Sequence, residues 1–275
     1  MKNNDDMWIL RLGLYQNEKH ILEHDHWLND GIIHAAQSLL SNQTKGKIYG
    51  WQTTQLAKEE SKFKFQQVPS RMPFIQILHI SASHWAVASN IDVSSLGGRG
   101  SCNDTVALYD SARPIRVNQT TKQMICTFFK TSADAIHFDI VNVETQHNSH
   151  DCGVYVIANA TELALGGDPA LCRWDHSVMR THLKACLEKG EMKCFPTLGK
   201  RRIPIGSRIR STSLEKVYCI ASCRMPNNKQ RPMIACDNCN IWYHKDCVKL
   251  EVDVSYSGIK WFCSRCNNFL NKLAQ

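Results

Sequence analysis

Apolar residues follow two rhythms over roughly the first 190 positions. In Trp27–Leu40, residues Ile32, Ile33, Ala36, Leu39 and Leu40 recur at helical spacing behind the polar pair Asn29-Asp30, which predicts an amphipathic helix. Phe74–Ile80, His84–Ile91 and Thr105–Tyr109 are short apolar runs that predict strands, the first two joined tightly through Ser81–Ser83. Gln119–Lys130 reads as helix and Ala135–Val143 as a further strand. Cys152–Leu165 is apolar on every side, the pattern of a buried helix, and Gly166-Gly167 end it. His176–Lys189 predicts a last amphipathic helix. Helices and strands mixed in this way give an α+β core, with no internal repeat.

The rhythm stops in the stretch 189–216, where two prolines, three glycines and a run of Arg and Lys make a poor helix or strand. This divides the chain into a core over 1–190, a basic linker over 191–216, a small domain over 217–268 and a tail over 269–275. Charge divides there too. Residues 1–187 hold 17 basic and 18 acidic side chains, whereas 188–275 hold 16 and 7. Lys200-Arg201-Arg202 with Arg208 and Arg210 suits a nuclear localisation signal or weak contact with a nucleic-acid backbone, and equally a solvated tether.

The composition is otherwise ordinary for a globular chain, with 43% hydrophobic and 21% charged residues in 275. No run of eighteen apolar residues occurs, so no membrane helix is predicted. The opening MKNNDDMWIL lacks the basic and apolar regions of a signal peptide, which argues against secretion. In a reducing compartment, thirteen cysteines point to metal binding or catalysis rather than disulfides.

Cys152 follows the loop HNSHD and opens the buried helix, where the helix dipole and free N–H groups stabilise a thiolate. A nucleophilic cysteine needs a histidine to take its proton and a third group to orient that histidine. His84, at the start of a strand, and Asp110, at the end of the next, are placed for those tasks.

In this order WLND (27–30), HW (84–85), YDS (109–111) and QHNSHDCGVY (146–155) resemble the Ulp/SENP-type cysteine proteases, over about residues 20–190. The resemblance implies a papain-like core that cleaves a ubiquitin-like modifier, SUMO among them, after its C-terminal diglycine, with no cofactor for catalysis. It makes Cys152 the nucleophile, His84 the general base and later acid, Asp110 its orienter, and Gln146 the oxyanion donor. It also implies that Trp85 roofs a tunnel for the modifier's glycines and that Trp27 and Asp30 lie near the substrate groove. A buried tryptophan and a helix-capping aspartate remain the plainer readings of those two.

From Cys219 the cysteine order is C-x3-C-x12-C-x2-C-x4-H-x2-C-x15-C-x2-C, ending at Cys266. Eight such ligands satisfy two tetrahedral Zn2+ ions, and a segment this short takes much of its folding free energy from metal. With Trp261 two residues before Cys263, the order resembles a PHD finger, in which ligands interleave. The resemblance assigns Cys219, Cys223, His244 and Cys247 to one zinc, and Cys236, Cys239, Cys263 and Cys266 to the other. It also implies that a histone tail, with methylated lysine as the natural target, is held by Tyr218, Met233 and Trp242, with Asp237 facing a basic side chain of the tail. A quaternary ammonium is selected by aromatic faces and soft contacts.

Together these features predict a nuclear protease that processes a ubiquitin-like modifier at chromatin. Two alternatives stay open: a chromatin reader whose protease-like domain binds a modifier without cutting it, and a mobile-element protease with its own substrate.

Overall fold

The computed structural model describes residues 6–52, 66–69, 72–81, 84–92, 100–101, 105–112, 114, 117, 119–129, 136–202, 209–211, 223, 231–237, 242–250 and 260–264. In chain order its elements are β1 (Met7–Ile9), β2 (Leu14–Tyr15), α1 (Gln16–Glu23), α2 (Asp30–Thr44), β3 (Tyr49–Gly50), β4 (Phe74–Ser81), β5 (His84–Ser89), β6 (Ile91–Asp92) and β7 (Gly100–Ser101). Then follow β8 (Thr105–Tyr109), α3 (Gln119–Cys126), β9 (His137–Val141), α4 (Cys152–Ala164), β10 (Cys172–Trp174), α5 (Met179–Lys189), β11 (Thr197–Lys200), β12 (Ile209–Ser211), β13 (Met233–Ala235) and β14 (Trp242–His244).

The centre is a six-stranded mixed sheet in the order β12-β9-β8-β5-β4-β3. Alternation along its strands sends side chains to opposite faces. Ile75, Ile77, Trp85, Val87 and Tyr109 meet Ile32 and Ile33 of α2 and Val154 and Ile157 of α4 on one side. Phe74, Leu78, Ala86, Ala88 and Leu108 meet Ile125, Phe128 and Phe129 on the other. Every residue of α4 except Glu162 is buried, as its uniformly apolar sequence predicts. Each large side chain buried in this way contributes about 1.5–3 kcal/mol, and the sum holds α4 rigidly against β4 and β5.

The predicted elements are present with shifted ends. α2 starts at Asp30 because Asn29 caps it, its side chain accepting from the Ile32 N–H at 3.2 Å. α3 stops at Cys126, since Phe128 and Phe129 turn back to pack their rings 5.0 and 5.1 Å from that of Phe74. α5 begins at Met179 instead of His176, because the Asp175 carboxylate accepts from the backbone and hydroxyl of Ser177 and ties the preceding residues into a turn.

The stretch read as linker needs correcting. Thr197–Lys200 pairs antiparallel with β10, and Ile209–Ser211 adds an antiparallel edge to β9. Backbone groups alone make those ladders, and β11 is exposed throughout, so no apolar alternation marked it. Arg201 is also no free phosphate contact: its guanidinium donates to the carbonyls of Asn142 and Ala170 at 2.7 and 3.2 Å. No helix among the described residues is long and apolar enough to cross a membrane.

Candidate active site and zinc finger

His84 opens β5 and Asp110 directly follows β8, its antiparallel partner. The register Val87↔Tyr109, continued by one residue, sets Asp110 opposite Ala86, two positions from His84 on the same face. His84 Nε2 and Asp110 Oδ1 lie 2.6 Å apart. The same carboxylate oxygen accepts from the Ala112 N–H at 2.8 Å, and Asp110 is buried. The same imidazole also hydrogen-bonds Cys152, at the first turn of α4. Hydrogen bonds to Asp110 first and Cys152 second push the His84 pKa up from 6.5 to about 10, against the opposing effect of burial. The three predicted residues are therefore one chain of contacts: carboxylate, imidazole, sulfur.

Elsewhere in the fold, burial pushes the thiols of Cys172 and Cys186 up, so they stay protonated packing residues, whereas Cys194 is exposed.

The loop before Cys152 is laced to itself. Asn148 accepts from the backbone N–H of His150 and Asp151 and donates to the Asp151 carboxylate at 2.7 Å. Gln146 accepts from the Ser111 hydroxyl at 2.7 Å through its side-chain oxygen, beside the triad. Its Nε2 donates to the Asn148 carbonyl at 2.6 Å, so an incoming oxyanion would compete with that bond. Gly153 is required by packing: a Cβ there would lie 2.8 Å from Cβ of Leu28.

Arg180, on α5, was not legible as a site residue. Its Nε and Nη2 donate to Asp151 Oδ1 at 2.9 and 2.6 Å, and it also meets the carbonyls of Ile21 and His26 and the Asp25 carboxylate, the last at 3.2 Å. It thereby ties the residue before Cys152 to α1 and the segment leading into α2. Asp151 is held by this ion pair and by Asn148, and its side chain caps no helix N–H.

Trp85 is buried, its ring centroid 4.5 Å from that of His79. Trp27 is 48% exposed and Asp30 lies exposed in the first turn of α2. The plainer readings of these two fail, because the tryptophan is outside the core and Asn29 is the cap.

In the small domain, Cys223, His244 and Cys247 converge with their ligand atoms within 4.8 Å of one another. Cys223 Sγ is 3.5 Å from His244 Nδ1 and 3.8 Å from Cys247 Sγ, a soft donor set that fits zinc. Arg231 reaches both sulfurs and Asp246, supplying positive charge beside the ligand cluster; sequence reading missed it. Of the second set, Cys236 Sγ accepts from the Cys263 N–H at 3.3 Å. Tyr218, Cys219, Cys239 and Cys266 lie outside the described residues.

β13 and β14 form the finger's hairpin in the register Met233↔His244 and Ala235↔Trp242, which sets Met233 and Trp242 on one face. Trp242 is 39% exposed. Asp237 accepts from the Trp261 N–H at 2.7 Å, so its carboxylate already orders the turn before the second ligand pair. Tyr243 is buried against Trp261.

Comparison with known proteins places the fold of the first part and the domain type of the second. The fold is similar to that of the SUMO protease Ulp1 with the catalytic cysteine oxidised to a sulfonic acid, with a TM-score of 0.50 and 15% identity over 67% of this chain and 88% of that one. Residues 219–266 match the family model of the PHD-finger. The chain is thus a Ulp-type protease fold followed by a PHD finger, an α+β protein of two parts.

Among curated proteins it is 35% identical over 60 residues to transcription initiation factor TFIID subunit 3 of Gallus gallus, covering 22% of this chain and 6% of that protein. It is 36% identical over 52 residues to nucleosome-remodeling factor subunit NURF301 of Drosophila melanogaster, covering 19% and 2%. The chain spans less than a tenth of the length of either relative.

Proposed function

We propose that the chain is a cysteine peptidase that cuts a ubiquitin-like modifier after its C-terminal Gly-Gly and is held at chromatin by its PHD finger. The observation that carries the peptidase reading is His84, placed between Asp110 and Cys152 and holding its proton to about pH 10. In that arrangement Cys152 Sγ attacks the scissile carbonyl carbon and the C–N bond breaks as His84 gives its proton to the leaving amine. Water then attacks the thioester, His84 takes its proton, and the carboxylate of the modifier leaves with Cys152 restored. Gln146 exchanges its bond to the Asn148 carbonyl for one to the oxyanion, a donor worth about 3–4 kcal/mol in the transition state. Trp85 lines the path of the diglycine, and exposed Trp27 and Asp30 meet the body of the modifier.

The test is cleavage of a panel of ubiquitin-like precursors extended beyond Gly-Gly. At least one should be cut by the wild type and by no Cys152→Ala protein; a folded wild type that cuts none contradicts the reading.

For the finger, Met233 and Trp242 on one hairpin face, with Tyr218, offer the soft and aromatic surface that a methylated lysine needs. Two zinc ions hold the finger through the interleaved ligand sets. The relatives named for transcription initiation and nucleosome remodelling support a nuclear site of action. A histone-peptide array separates the outcomes: Trp242→Ala protein should lose binding to methylated peptides, and binding equal to wild type overturns the reader role.

A further inference from the structure

Among the described residues outside the triad and the finger, a further cluster of ligand-type side chains gathers beside the loop that precedes Cys152. Glu144 and His147 flank Gln146 on the segment after β9, and His176 lies in the turn between β10 and α5. Their ligand atoms all fall within 4.8 Å of one another. His176 Nε2 is 3.9 Å from Glu144 Oε1, and the rings of His147 and His176 have centroids 3.9 Å apart.

The surroundings orient these groups as ligands. The Tyr155 hydroxyl lies 2.5 Å from Nδ1 of His176 and 3.4 Å from Nε2, so its stronger bond is to Nδ1, while Nε2 also faces Glu144. Oε2 of Glu144 accepts from the Trp174 N–H at 2.5 Å, which leaves Oε1 on the cluster side. Such outer contacts fix the rotamer and tautomer of a metal ligand before the metal arrives. The turn bearing His176 is itself fixed by Asp175, which accepts from Ser177 through its side chain and from Val178 through its carbonyl.

We propose that Glu144, His147 and His176 bind a divalent transition metal ion, with Zn2+ the best match. Two imidazoles and one carboxylate are an intermediate-hardness set suited to zinc, and too poor in oxygen for Ca2+ or Mg2+. Zinc–ligand distances of about 2.0–2.1 Å put tetrahedral ligand atoms about 3.3 Å apart, so the set closes by a small movement. His147 is exposed and free to make that movement, and its open side leaves room for water as fourth ligand. The ion would bridge residues on both sides of Gln146 to the turn before α5, clamping the segment that carries the oxyanion donor. The site is separate from the finger's thiolate sites and stands whether or not the chain cuts a modifier.

The test uses the full chain with its finger saturated with zinc, titrated with Co2+ and followed by visible absorption. One further equivalent should bind with cobalt d–d bands and no thiolate-to-cobalt charge transfer. His147→Ala and His176→Ala should each weaken that binding at least tenfold. Tyr155→Phe, which removes only the outer contact, should weaken it by about 10- to 100-fold. The proposal is overturned if no further equivalent binds, if the new absorption carries thiolate charge transfer, or if removing the stacked pair His20, on α1, and His24, just after it, their rings 3.9 Å apart, abolishes it instead.

Discussion

Two materials hold the two sites of this chain. In the protease fold, His84, Asp110 and Cys152 come from three separate elements, and a sheet packed on both faces brings them together. In the finger, Cys223 meets His244, which ends the short hairpin, and Cys247, in the turn that follows, where the described core is little more than Tyr243, Trp261 and their neighbours. Apolar burial builds the first site before any ligand arrives. The second is a cluster of soft donors and one arginine that metal must complete.

The difference is broken most sharply by chelation. Removing zinc should unfold the finger and abolish peptide binding, while the protease fold keeps its thermal transition. Paired NMR and calorimetry check this; loss of both parts together would mean that the finger supports the core.

Next in size is Arg180→Met, which takes the guanidinium from the half-buried Asp151 carboxylate and frees two carbonyls. A loss of about 2–4 kcal/mol is expected in denaturant unfolding of the protease part, with none in the finger. A loss under about 1 kcal/mol would show that Asn148 alone holds the loop.

Gly153→Ala should cost about 1–3 kcal/mol, because its Cβ would press on Leu28. Pairing it with Leu28→Ala should recover less than the cavity costs, and a neutral single variant contradicts the close approach.

The last effect is a slope, not a single shift. The folded chain keeps on His84 a proton that the unfolded chain releases near 6.5. The stabilisation from its contacts with Asp110 and Cys152 is complete below about 6.5, declines as pH rises and is gone above about 10. Unfolding free energy of the wild type should therefore fall across that window more steeply than that of His84→Ala, and parallel curves contradict the contact.

The same difference in materials explains what the sequence disclosed. Ligand spacing in the finger and the run before Cys152 are local, so neighbouring residues carried the signal. α4 was legible because burial on all sides leaves a uniformly apolar run, and β8 because its length matches the pattern from Thr105 to Tyr109. β11 and β12 left no signal, since backbone hydrogen bonds hold them and no side-chain alternation is needed. α1 is eight residues long, too short for a periodic pattern, and is marked only by Glu18 accepting from the Tyr15 N–H. Arg180 lies 29 positions from Asp151 and Arg231 lies 15 from Asp246. Nothing in a linear reading distinguishes these arginines from any other.

The central claim is that the sheet and α4 deliver a working nucleophile without help from metal. It is tested most directly by ubiquitin-like proteins carrying an electrophile at their C-terminal glycine, added to the folded full chain and followed by intact mass. One of them should add covalently to Cys152, with no adduct in Cys152→Ala, far slower addition in His84→Ala, and the same addition after zinc is stripped from the finger. A folded wild type that takes up none of these probes at Cys152 contradicts the account.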